Sequence, residues 1–126
     1  MTTIRSISPE QMAVYRATAA RRQQVAATAV AERKQRAYTV ARQAASMLKD
    51  RFGATAVWLF GSLAHEQWFT TTSDIDLAAW GIAPADYFRA VAYLQDISPE
   101  FAIDLVTMED CKPTLRDRIL LEGKPL

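Results

Sequence analysis

Apolar side chains recur every three or four positions at Tyr38, Ala41, Ala45, Leu48 and Phe52. That spacing lays one face of a helix on a core. The same uninterrupted stretch runs far upstream: no glycine or proline falls between Glu10 and Phe52, and twelve alanines lie between Ala13 and Ala45. Ser8-Pro9-Glu10-Gln11 supplies a start, with Ser8 as N-cap, Pro9 at the first helical position and Gln11 placed to close a capping box. Gly53 supplies the stop. The pattern predicts one very long helix or two nearly continuous ones. Before Tyr38 the apolar stripe thins to Met12, Tyr15, Ala19, Ala26 and Val30 among arginines. Residues 1–36 are therefore expected to project as a helical extension that needs a partner, or its own copy, to cover it. Residues 37–126 are expected to form the folded domain.

Beyond Gly53 the period shortens. Ala56-Val57-Trp58-Leu59-Phe60 reads as a short buried strand ending at Gly61-Ser62, with one or two helical turns over 63–68 and a polar loop at 70–73. Asp74 to Trp80 is a second strand closed by Gly81. Pro84 to Gln95 is a helix with Tyr87, Val91 and Leu94 on one face. Ser98-Pro99 turns the chain into a third strand from Phe101 to Val106. Pro113 opens a last helix over Thr114 to Leu121, stopped by Gly123. The expected fold class is α/β (α+β): a small mixed sheet of about three to four strands flanked by helices, with the long helical extension in front.

Composition narrows the function. The chain has 126 residues, half of them apolar, which suits one soluble domain. A single cysteine, Cys111, excludes an internal disulfide framework, and a single histidine excludes the usual Cys/His zinc sites. No bilayer-spanning run or signal peptide is visible, so a cytoplasmic location is expected. The net charge of +1 hides a division: residues 8–51 carry nine Lys/Arg against three acids, and residues 52–126 carry five against eleven. Between Arg51 and Lys112 the only basic residue is Arg89, facing nine carboxylates. Such a surface repels anions unless cations stand between.

Alternate side chains of a strand share a face, so Asp74 and Asp76 point one way while Ile75 and Leu77 point into the core. Two neighbouring carboxylates repel, and one should lose its charge unless a cation joins them. Hard oxygen ligands suit magnesium or manganese, completed by substrate phosphates. Asp104 sits between Ile103 and Leu105 in an otherwise apolar strand, an expensive place for an unpartnered charge. If that strand lies beside the second one, Asp104 joins the pair, and three carboxylates on adjacent strands can hold two metals for displacement at phosphorus. Gly61 and Ser62 follow a buried strand and precede a helical turn, which lets a phosphate approach the backbone. No Walker A sequence occurs.

Leu59-Phe60-Gly61-Ser62, followed by Ser73-Asp74-Ile75-Asp76-Leu77, resembles the signature of the DNA polymerase beta-type nucleotidyltransferases. More narrowly it resembles the minimal nucleotidyltransferases (MNT) that act as antitoxins to HEPN-domain ribonucleases. Phe101-Ala102-Ile103-Asp104-Leu105-Val106 is similar to their third-carboxylate strand, and Arg118 to Leu126 to their closing helix and tail. The likeness covers about residues 37 to 126. It implies the nucleotidyltransferase fold, with Asp74, Asp76 and Asp104 as catalytic metal ligands for Mg2+ (two ions), Asp104 also activating the acceptor hydroxyl, and Gly61 and Ser62 on the outer phosphates of ATP. It implies transfer of AMP from ATP to a tyrosine of a HEPN toxin, which silences it. Two departures stand out. The spacing of eleven residues from Ser62 to Asp74 is one longer than usual, and Leu63-Ala64-His65-Glu66 stands where Arg-x-Arg-Gly is common. A basic phosphate contact is thereby missing, with His65 as a candidate substitute.

Blander readings compete at several positions. Ser62 also suits a plain helix N-cap, and His65 a solvent-facing loop. Trp58, Trp68 and Trp80 suit core or pocket wall, where one could pack an adenine. Cys111 reads as a bystander. The basic front helix has only Tyr15 and Tyr38 interleaved, so protein–protein packing is expected over nucleic-acid binding. Two other functions remain open: a non-catalytic antitoxin that occludes its toxin through the N-terminal helix, and a small-molecule nucleotidyltransferase. The chain is short for the second domain that usually holds small acceptors.

Overall fold

The long alanine-rich stretch forms one unbroken helix, α1 (Pro9–Phe52), 44 residues long and so about 66 Å from end to end. Its start is the expected capping box: the Gln11 amide donates to Ser8 Oγ at 3.1 Å, and the Ser8 amide donates to Gln11 Oε1 at 2.9 Å. Gly53 ends it in the left-handed conformation, φ 71°, which costs glycine little. Burial divides the helix. Ala37, Ala41, Ala44, Ala45, Leu48 and Phe52 are buried, whereas the side chains from Pro9 to Ala29 are exposed save Thr18. Small alanines on the buried face let the backbone approach the sheet closely. The computed structural model describes residues 7–65 and 69–126, so Trp68 and the end of the expected turn at 63–68 lie outside the described residues.

Four strands follow: β1 (Ala56–Phe60), β2 (Ile75–Trp80), β3 (Ile103–Thr107) and β4 (Lys124–Pro125). They lie in the order β3-β2-β1-β4, with β2 and β3 parallel and the other pairs antiparallel. The parallel pair is joined across α2 (Tyr87–Gln95), and α3 (Pro113–Glu122) precedes β4. β3 begins two residues later than the sequence pattern suggests. The residues before it still serve the sheet, since the Ala102 carbonyl accepts from the Ile75 amide at 3.0 Å. After β1 the chain makes a single 3-10 turn, Gly61–Leu63.

The two faces of the sheet differ, as side-chain alternation requires. Val57, Leu59, Ile75, Leu77, Ala79, Ile103 and Leu105 form the main core with α1 and with Ala90 and Leu94 of α2. The opposite face carries Ala78 under Met108 and Ile119, flanked by Trp58, Phe60, Trp80 and Val106. Trp58 and Trp80 meet edge to face at 5.4 Å between ring centroids, in keeping with a wall role. Asp76 and Asp104 share the register parity of this second face, at its end nearest the starts of β2 and β3. Among the described residues no helix is long and apolar enough to cross a membrane.

Candidate active site

In the parallel register of β2 and β3, Asp76 lies directly beside Asp104 and Ile75 beside Ile103. The alternation read from sequence thus brings two carboxylates together on one face and leaves the isoleucines in the core. Asp76 is partly buried and Asp104 exposed. Burial, the charges of Asp104 and Asp74, and a hydrogen bond with Asp104 together push the Asp76 carboxyl up to about 6. Asp74, exposed just ahead of β2, contributes its charge to this effect.

The segment after β1 closes on the same point. Phe60 pairs with Asp76 across the antiparallel ladder, and Gly61 turns away at φ 73°. A Cβ at position 61 would collide with Asp76 Oδ2 and come within 3.1 Å of its Cγ. Glycine is needed there twice over: for the left-handed conformation and for the close approach. Ser62 follows, partly exposed, in the 3-10 turn. The structure therefore gathers Gly61, Asp76 and Asp104, with Ser62 and Asp74 next to them in the chain.

The donors are all hard oxygens, which fits a divalent cation such as magnesium. Among the described residues no three Asp, Glu, His or Cys side chains are grouped so as to hold a metal by themselves. A facing pair completed by substrate phosphates is the usual arrangement for magnesium. The upward shift of Asp76 has the same origin: burial and the neighbouring Asp104 and Asp74 charges disfavour its ionised form where no cation offsets them.

His65 turns to α3, its Nε2 lying 3.0 Å from Glu122 Oε2. Leu63 and Ala64, the first two residues where the chain departs from the Arg-x-Arg-Gly pattern, are buried in the core. Cys111 donates weakly to the Lys112 carbonyl. Sequence reasoning passed over Arg33. Its guanidinium lies 4.3 Å from the Phe101 ring centroid, and its Nη2 donates to the Ser73 carbonyl at 3.1 Å. The signal was its place in the stripe Val30, Arg33, Ala37, Ala41, hidden among the neighbouring basic residues Lys34 and Arg36.

The family described as polymerase beta, nucleotidyltransferase matches residues 42–126. The chain belongs to that family. This nucleotidyltransferase is similar to a solved structure described as a minimal nucleotidyltransferase, at 32% identity and TM-score 0.55, covering 68% of this chain and 88% of that one. A mutant of the MntA-HpeT toxin–antitoxin complex shares the fold at 24% identity and TM-score 0.54, covering 64% of this chain and 66% of that one. A toxin–antitoxin crystal structure with AMP-PNP does so at 21% identity and TM-score 0.55, with the same coverage. The nucleotidyltransferase spans just under two thirds of the length of these last two chains. No curated protein matches it.

Proposed function

We propose that this nucleotidyltransferase is an antitoxin that transfers AMP from ATP to a tyrosine of a cognate HEPN ribonuclease and so neutralises it. The observation that carries the reading is the facing of Asp76 and Asp104 in parallel register, with Gly61 closed against Asp76. Asp74, Asp76 and Asp104 would hold magnesium, two ions in this reading, and the metal would neutralise the triphosphate. Gly61 and Ser62 would seat the outer phosphates. Asp104, the more exposed of the facing pair, accepts the proton of the tyrosine hydroxyl as its oxygen bonds to the α-phosphorus. The bond from that phosphorus to the β-phosphate oxygen breaks, and pyrophosphate leaves. Similarity to a minimal nucleotidyltransferase and to toxin–antitoxin structures, one of them with AMP-PNP, supports the choice of nucleotide and partner. We further assign residues 1–36 to partner binding, through the exposed stretch from Pro9 to Ala29, and residues 37–126 to the transferase domain, against which Arg33 and Arg36 pack, in the cytoplasm.

The test is intact mass spectrometry of this chain and the protein encoded by its neighbouring gene, after incubation with ATP and magnesium. A mass gain of AMP on the partner, abolished by Asp74→Asn, is the expected result. A stable complex with no gain on either chain would overturn the enzymatic reading. It would favour occlusion instead, a second reading motivated by the exposed Val14, Tyr15 and Val25 on α1 and by the apolar Leu63 and Ala64 after Ser62.

A further inference from the structure

Arg33 lies in the basic half of α1, yet its side chain is only 14% exposed. Its guanidinium sits over the ring of Phe101 at 4.3 Å and near that of Phe69 at 5.9 Å, both buried. Nη2 donates to the carbonyl of Ser73 at 3.1 Å, and Nη1 lies 3.6 Å from Glu100 Oε2. Ser73 is the residue before Asp74, and Phe101 is three residues before Asp104. One side chain thus ties together the segments that lead into both carboxylate-bearing strands. Its neighbours on α1 extend the brace. Arg36 grips Glu100 through Nε at 2.8 Å and Nη2 at 2.9 Å. Tyr38 donates its hydroxyl to the Leu63 carbonyl at 3.0 Å, one residue past Ser62.

This arrangement is a poor way to gain stability. Arg33 Nε is buried without a hydrogen-bond partner, and an unsatisfied N–H in the interior is costly. An apolar side chain of the same length would cover Phe101 and Phe69 without that cost. What only the guanidinium supplies is a directed donor to Ser73 together with a flat surface on Phe101. We propose that Arg33 is a positioning residue of the nucleotidyl-transfer site, holding the lead-in segments of Asp74 and Asp104 at a fixed separation from α1. It rests on the reading given under Proposed function only where turnover is measured.

The full-length chain, Arg33→Met, Arg33→Lys and, as a control, Arg118→Met on the exposed side of α3 are compared in two ways. The first is backbone amide exchange; the second is AMP transfer with ATP varied. In Arg33→Met, exchange over residues 70–76 and 101–104 should quicken by about tenfold or more, while β1 and residues 41–52 stay as in the parent. Its kcat should fall by about tenfold or more with the KM for ATP within about threefold, since small misplacements cost turnover more than binding. Arg33→Lys should regain part of the kcat, and Arg118→Met should match the parent throughout. Unchanged exchange in both segments, or a folded Arg33→Met with parental kcat, overturns the assignment. If Arg33→Met does not fold, a folded Arg33→Lys with parental kcat and exchange overturns it equally. If the parent transfers no AMP, the functional reading fails while the exchange measurement still decides the role of Arg33.

Discussion

At Asp76 the sheet holds a carboxyl that folding alone would rather keep protonated. Its folded value of about 6 lies above the ordinary 3.8, so between about pH 4 and pH 6 the folded chain binds more protons than the unfolded one. Stability should therefore fall as pH rises through that window. Asp76→Asn removes the charge and keeps the shape. In the presence of a chelator at pH 7.5 it should gain about 1 kcal/mol over the parent, allowing for the screening of a half-exposed group, or about 4 °C in Tm. The gain should vanish near pH 4. On the proposal that Asp76 holds the metal, magnesium with ATP should reverse the ranking at pH 7.5. Thermal melts of both chains with and without metal check all three points, and equal melts at both pH values would refute the electrostatic account. Position 61 offers a second check. Gly61→Ala must accept a left-handed backbone, worth about 1–2 kcal/mol, and a methyl driven into Asp76. A lower Tm and a loss of AMP transfer of about a hundredfold are expected by calorimetry and kinetics.

Among the elements, those with a strong local signal were legible in advance. The capping box, the unbroken alanine run and Gly53 define α1; alternation and terminal glycines define β1 and β2; Pro113 and Gly123 bracket α3. The register that joins Asp76 to Asp104 was legible as a condition, since the parity of Asp104 is visible but the adjacency of the strands is a tertiary fact. β4 was not foreseen, because two residues, Lys124 and Pro125, carry no period and form a strand only by pairing with β1. The 3-10 turn at Gly61–Leu63 was not foreseen, since helical turns were expected only from residue 63 onward. Arg33 escaped notice since a basic residue in a basic run reads as solvated, and only the packed Phe101 and Ser73 reveal its direction. These contacts sharpen a prediction about α1. Deleting residues 1–29 spares Val30 and Arg33, so Tm should stay within a few degrees of the parent. Deleting residues 1–36 removes Arg33 and Arg36 as well, and should cost about 2 kcal/mol or more by denaturant melts. Equal stabilities of the two truncated chains would show that the α1 brace is dispensable.

Over the whole molecule, charge is divided along the chain, basic in α1 and acidic after it. About 30 Å of α1, from Pro9 to Ala29, stands clear of the core and carries Arg16, Arg21 and Arg22 beside the exposed Val14, Tyr15 and Val25. The transferase domain is acidic and presents its carboxylates at the other side of the sheet from the α1 core. Most helical stability in proteins comes from packing an apolar face, so the projecting part gains most from a partner that covers its apolar side chains and answers its arginines. If recognition and chemistry are separate in this way, two variants should fail in opposite respects. Arg21→Glu with Arg22→Glu should weaken binding of the HEPN partner at least about tenfold, with a reduced salt dependence, while metal-dependent ATP binding persists. Asp74→Asn with Asp76→Asn should still bind the partner yet transfer no AMP. Neutralisation in cells then decides between mechanisms. An Asp variant that binds but no longer protects means that silencing requires the covalent mark. One that protects fully means that the helix silences by occupancy, and the carboxylates serve some other acceptor.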